Sequence, residues 1–138
     1  MLSITREFRF EAAHHLVLSH LDQENNEAIF GCCAKNHGHG YRLRVTLGGT
    51  ANACGWLLNF STLDDIVRRQ VLSIYDHSDL NTLDDFRDIP PTAENIARVV
   101  FFRLKPHLQG ENFYLRGVSI FETPDAWASW EEERAFSE

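Results

Sequence analysis

From Tyr41 to Leu47 the apolar residues fall at every second position, with Arg42, Arg44 and Thr46 between Tyr41, Leu43, Val45 and Leu47. Side chains at i and i+2 of an extended chain share one face. The run therefore predicts a strand that is apolar on one side and polar on the other. The same parity reaches back through His39 to His37. Two imidazoles on one strand face can aim at a single point, and imidazole nitrogen is a preferred zinc donor. Cys33, four positions before His37, brings a thiol close to the pair.

The N-terminal segment alternates in the same way. Ile4, Phe8, Phe10 and Ala12 share one parity, and Thr5, Glu7 and Arg9 the other, with Arg6 the exception on the apolar side. A second strand is expected here, and its apolar parity extends to His14. Three neutral imidazoles from two strands, with a fourth position open, would make a catalytic zinc site. If Cys33 filled that position, the site would be closed and structural. His15 is expected to point to the opposite face as a polar outer residue. His20 and His107 sit in polar or helix-end contexts and are expected to be solvated.

Gly48 and Gly49 end the second strand, and residues 55–60 read as a short third one. A polar stretch from Ser19 to Glu27 reads as a loop. Thr62 with Asp65 resembles a capping box and places a helix start at Ser61 or Thr62. Leu63, Ile66, Val67, Val71 and Ile74 mark its apolar face. Asp76 to Pro91 reads as a loop. Thr92 caps a second helix with the face Ile96, Val99, Val100 and Leu104, stopped by Pro106. A last strand is expected from Tyr114 to Glu122. The order predicts an α+β protein with an antiparallel sheet of open edges, which edge pairing between copies would close.

The 138 residues suit one domain, 1–138, with a real core. A net charge of -7 disfavours nucleic acid as a partner, which wants a basic face. No apolar run is long enough to span a bilayer, and Met1–Arg6 holds no apolar signal segment. Three cysteines are an odd number, and reduced thiols suit the cytosol, so a cytoplasmic protein is expected.

Five stretches, in order, resemble the 6-pyruvoyltetrahydropterin synthase and 6-carboxytetrahydropterin synthase family. They are Phe10-Glu11-Ala12-Ala13-His14, Phe30-Gly31-Cys32-Cys33-Ala34-Lys35-Asn36-His37-Gly38-His39, Asp76-His77-Ser78-Asp79-Leu80-Asn81, Pro91-Thr92-Ala93-Glu94-Asn95 and Glu122-Thr123-Pro124. The resemblance implies the tunnelling fold, a small antiparallel sheet with two helices on one side. Its subunits join into a barrel, as trimers or hexamers with active sites between copies. It implies His14, His37 and His39 as ligands of Zn2+ and Cys33 as the catalytic thiol. Asp76 and His77 would be the proton-transfer pair, Glu122 the anchor of the pterin ring, and Thr92 a substrate contact. His15, Gly40 and the extra thiol Cys32 depart from the family's usual pattern.

The implied substrate is 7,8-dihydroneopterin triphosphate. The leading expectation is the 6-carboxy branch, which the short Cys33-to-His37 spacing and the Glu122–Trp127 ending resemble more; it releases acetaldehyde and triphosphate on the way to queuosine and other deazapurines. The stretch from Gln23 to Phe30 looks more like the 6-pyruvoyl branch, which stops at loss of triphosphate. A third possibility is a non-catalytic, zinc-stabilised oligomer that binds a pterin. Lys35, Arg42, Arg44, Arg9 and Arg6 are the candidate cations for the triphosphate.

Overall fold

The computed structural model describes residues 1–135. Two long strands dominate it, β1 (Leu2–His14) and β2 (His37–Gly49). They pair antiparallel in unbroken register from Leu2↔Gly49 to His14↔His37. The alternation read above is what makes this pairing productive. Phe8, Phe10 and Ala12 of β1 and Tyr41, Leu43, Val45 and Leu47 of β2 are all buried on one face. A slip of one residue would put every one of them in water.

Between the long strands lie α1 (Gln23–Phe30) and a 3-10 turn at Gly31–Ala34. After β2 come α2 (Phe60–Val67), a π turn at Arg68–Leu72 and α3 (Ser73–Tyr75). A two-residue strand β3 (Ser78–Asp79) precedes α4 (Ala93–Leu104), and β4 (Phe113–Thr123) and β5 (Ala126–Glu131) close the chain. The sheet order is β3-β1-β2-β4-β5. All pairs are antiparallel except the short β1–β3 pair. This is the tunnelling fold expected from the resemblance.

The helices α2 and α4 cover one sheet face. Leu63 and Val67 from α2, Val71 from the π turn after it, and Ile96, Val100 and Leu104 from α4 are fully buried against it. Arg6 breaks the apolar parity of β1 because it faces α2, where its guanidinium grips Asp64 at 2.8 and 3.1 Å. The other sheet face carries Thr5, Glu7, Arg9, Arg42, Arg44 and Thr46.

Several expectations are corrected. Residues 55–60 form no strand. Asn52 Oδ1 accepts from the N–H groups of Cys54 and Trp56, which folds the segment into a turn. Asn59 then caps α2 by accepting from Ser61 N, so the helix starts ahead of Ser61 and Thr62. The π turn inserts one residue into the helical phase and rotates the following face by about a quarter turn. Tyr75 is therefore buried, and Ile74, placed on the apolar face by simple periodicity, is 36% exposed. The stretch read as a loop from Ser19 to Glu27 contains most of α1. That helix has little apolar face; Asp22 caps it, and its buried Asn26 holds the carbonyls of Leu18, Leu21 and Asp22. The strand β5 follows β4 across a Pro124–Asp125 turn.

Candidate metal centre

The antiparallel register sets His14 directly opposite His37, and His39 opposite Ala12. All three imidazoles leave the sheet on the helix-facing side. Their ring centroids form a near-equilateral triangle of 4.5, 4.9 and 5.0 Å. One potential ligand atom from each ring lies within 4.8 Å of the others. His14 is 1% exposed, and His37 and His39 are half-buried.

Neighbouring backbone fixes the tautomers. His14 Nδ1 lies 2.8 Å from the Pro91 carbonyl and His37 Nδ1 2.7 Å from the Lys35 carbonyl. A carbonyl can only accept, so both Nδ1 atoms carry the proton and both Nε2 lone pairs are free. The Tyr41 hydroxyl oxygen, 3.1 Å from His14 Nδ1, shares that N–H. His14 Nε2 and His39 Nε2 are buried with no hydrogen-bond partner. Leaving a buried acceptor unpaired costs about 1–3 kcal/mol. Two such orphans converging with a third imidazole fit a divalent cation, and the Nδ1-to-carbonyl bonds are the outer support such ligands need.

Burial holds the His14 imidazole below its ordinary value of 6.5, with the Pro91 carbonyl opposing. Burial likewise lowers His39, against the opposing field of Glu122. Both rings are thus neutral, the form that binds metal.

Cys33 sits in the 3-10 turn that follows α1, where Gly31 takes the positive φ of 61° that turns the chain back toward β2. Its carbonyl accepts from Leu16 N at 2.7 Å, tying the turn to the exit of β1. Burial raises the Cys33 thiol above its ordinary value, and contact with Cys32 adds to the rise. Glu122 is half-buried near the end of β4, on the same face as Ile120 and Tyr41. Its field acts on His14, Cys33, His39 and Tyr41 alike. Thr92 caps α4 by accepting from Asn95 N at 3.2 Å and directly follows the carbonyl that orients His14.

Asp76 and His77 are placed elsewhere. Asp76 Oδ1 accepts from Glu11 N at 2.9 Å and lies 3.0 Å from His77 Nδ1. The Glu11 N–H holds the Asp76 carboxyl below the usual carboxylate range. His77 takes φ 60°, donates its N–H to the Glu11 carbonyl, and has a side chain 79% exposed. It lines a shallow depression with Glu11, Ala12, Ala13, Gly38, His39, Gly40 and Ser78. The chain thus gathers the triad, Cys33 and Glu122 together and carries the exposed Asp76–His77 pair at the β3 edge of the sheet, tied to Glu11.

Residues 3–133 match the sequence profile of the 6-pyruvoyl tetrahydropterin synthase family. The chain belongs to that family. It is 30% identical over 132 residues to the 6-pyruvoyl tetrahydrobiopterin synthase of Dictyostelium discoideum, covering 94% of this chain and 96% of that one. It is 28% identical over 154 aligned positions to the 6-carboxy-5,6,7,8-tetrahydropterin synthase of Haemophilus influenzae, covering 96% and 100%. The solved 6-pyruvoyl tetrahydropterin synthase of Caenorhabditis elegans superposes with a TM-score of 0.88 at 28% identity, covering 96% of each chain.

His15 is held by its backbone. It is half-buried just past the end of β1, with its backbone N–H and C=O both held by Asn81. Of the candidate cations, Arg6 is paired with Asp64 and Arg44 with Glu7. Sequence reasoning also missed the roles of Tyr41 and the Pro91 carbonyl. Tyr41 carries the right parity, but its hydroxyl contact depends on the buried neighbourhood. A carbonyl leaves no trace in residue identity.

Proposed function

We propose that this protein is a zinc-dependent enzyme that eliminates triphosphate from 7,8-dihydroneopterin triphosphate to give 6-pyruvoyltetrahydropterin. The observation that carries the chemistry is the buried triad with its orphaned nitrogens. The branch is favoured by the 6-pyruvoyl relatives, with 30% identity to the Dictyostelium enzyme and a TM-score of 0.88 to the Caenorhabditis one.

His14, His37 and His39 would hold Zn2+, which as a Lewis acid supplies polarisation of the substrate's side-chain oxygens and acidifies the neighbouring C–H. Cys33 Sγ takes up the proton released from the side-chain carbon. Its raised pKa means that the resting group is the thiol, so it needs a cation or base beside it to act. His77 relays the proton, and Asp76, at 3.0 Å from its Nδ1, fixes which ring nitrogen faces the substrate. Because the His77 side chain is 79% exposed at the β3 edge of the sheet, where a second copy would pair, we assign the pair to the site of a neighbouring copy in a barrel-forming trimer or hexamer. Glu122 accepts the paired N–H donors of the pterin edge, a charge-assisted arrangement. Thr92, at the mouth of α4, contacts the substrate.

The short Cys33–His37 spacing and the Haemophilus relative favour a second reading, formation of 6-carboxytetrahydropterin with release of acetaldehyde. Incubating zinc-loaded protein with dihydroneopterin triphosphate and identifying the products by mass spectrometry separates the two. A pyruvoyl product without acetaldehyde supports the proposal. Acetaldehyde assigns the 6-carboxy branch, and unchanged substrate with zinc bound assigns a binding protein.

A further inference from the structure

The reaction proposed above uses Asp76 and His77 but gives no task to Asn81 at the far end of the same motif. Its side chain brackets the backbone of one residue, holding the peptide groups on both sides of it. Asn81 Oδ1 accepts from His15 N at 2.9 Å, and Asn81 Nδ2 donates to the His15 carbonyl at 3.0 Å. The β1–β2 ladder ends at His14↔His37, and the β1–β3 ladder at Ala13↔Asp79. His15 is thus the first residue past the strand and has no ladder partner. The Asn81 carboxamide, chemically a side-chain peptide, supplies both halves of the missing rung. It is anchored at its own root, since Asn81 N donates to Asp79 Oδ1 at 3.1 Å. One residue further on, Leu16 N donates to the Cys33 carbonyl at 2.7 Å.

We propose that Asn81 is a positioning residue of the metal centre. By clamping the peptide groups on both sides of His15 it fixes the exit of β1, keeps the His14 ring against the Pro91 carbonyl, and sets the spacing between His14 and the Cys33 turn. The inference rests on the zinc reading of the triad. Without the clamp the peptide after His14 turns freely, and the Nε2 direction that the metal needs is no longer imposed. Losing an outer support of this kind typically weakens metal binding by about 10–100-fold.

The test compares Asn81→Ala, Asn81→Asp and Thr82→Ala with the unaltered protein. Zinc affinity is read by competition with a chromogenic chelator, geometry by the visible spectrum of the Co2+ form, and fold by metal-free melting. Thr82 is the matched control; its hydroxyl donates to the Asp79 carbonyl at 2.7 Å in the same turn, away from His15. Both Asn81 variants are expected to lose about 10–100-fold in zinc affinity with an altered Co2+ spectrum. Thr82→Ala should shift the melting temperature and leave both metal readouts unchanged. Asn81→Asp keeps the size and the acceptor for His15 N but turns an oxygen toward the His15 carbonyl, so it serves if Asn81→Ala does not fold. Unchanged affinity and spectrum in whichever Asn81 variant folds, beside a zinc-binding parent, remove the role of Asn81 alone. A parent that binds no zinc removes the proposed function and this inference together.

Discussion

His39→Leu should stabilise the metal-free protein while abolishing its response to zinc. His39 Nε2 is a buried ring nitrogen without a hydrogen-bond partner, whereas the neighbouring His14 has its Nδ1 satisfied by Pro91. Replacing an unsatisfied buried polar group by an apolar one of similar size recovers about 1–3 kcal/mol. For a domain of this size that is a rise of roughly 4 °C in melting temperature per kcal/mol. Zinc at a hundred times its dissociation constant adds about 2.7 kcal/mol to the parent protein, because only the folded state offers the triad. The variant has two ligands left and should gain little. Calorimetry at pH 8, with and without zinc and at fixed protomer concentration, reads both effects. A metal-free variant that melts lower than the parent, or one that zinc still stabilises fully, would refute the idea that the orphaned nitrogens are a strained, metal-ready set.

Cys33→Ala should keep full zinc occupancy and lose about 10²–10⁴-fold in turnover, as for other positioned proton-transfer groups; metal analysis beside single-turnover kinetics checks it, and lost zinc would mean a structural sulfur ligand. The metal-free protein should lose stability as pH falls below 6.5, because burial keeps His14 and His39 less protonated in the fold than in the unfolded chain. Melting from pH 8 to 5 reads this, and a flat profile would contradict it. Thr92→Ala should cost about 1 kcal/mol through the lost cap of α4 and loosen the Pro91 support of His14, so denaturant titration should show the loss and chelator competition a weaker zinc site.

The triad was legible because a strand converts sequence parity into a shared face, and both His14 and His37/His39 extend apolar alternations that bury. The long β1–β2 pair and α4 were legible for the same reason of periodicity. What escaped depends on polar hydrogen bonds that have no period. The α1 helix is held by the Asn26 side chain, and the 52–57 turn by Asn52 and Asn112. Ile74 and Tyr75 exchange places because a π turn shifts the helical phase, which residue spacing does not announce. The separation of Asp76–His77 from the triad follows from β3 running along the outer edge of β1, a tertiary fact.

X-ray absorption at the zinc edge of the loaded protein tests the metal centre most directly. The account predicts three imidazole nitrogens at about 2.0–2.1 Å and one exchangeable oxygen. A sulfur at about 2.3 Å in the resting protein would contradict it, since Cys33 would then close the site it is proposed to serve.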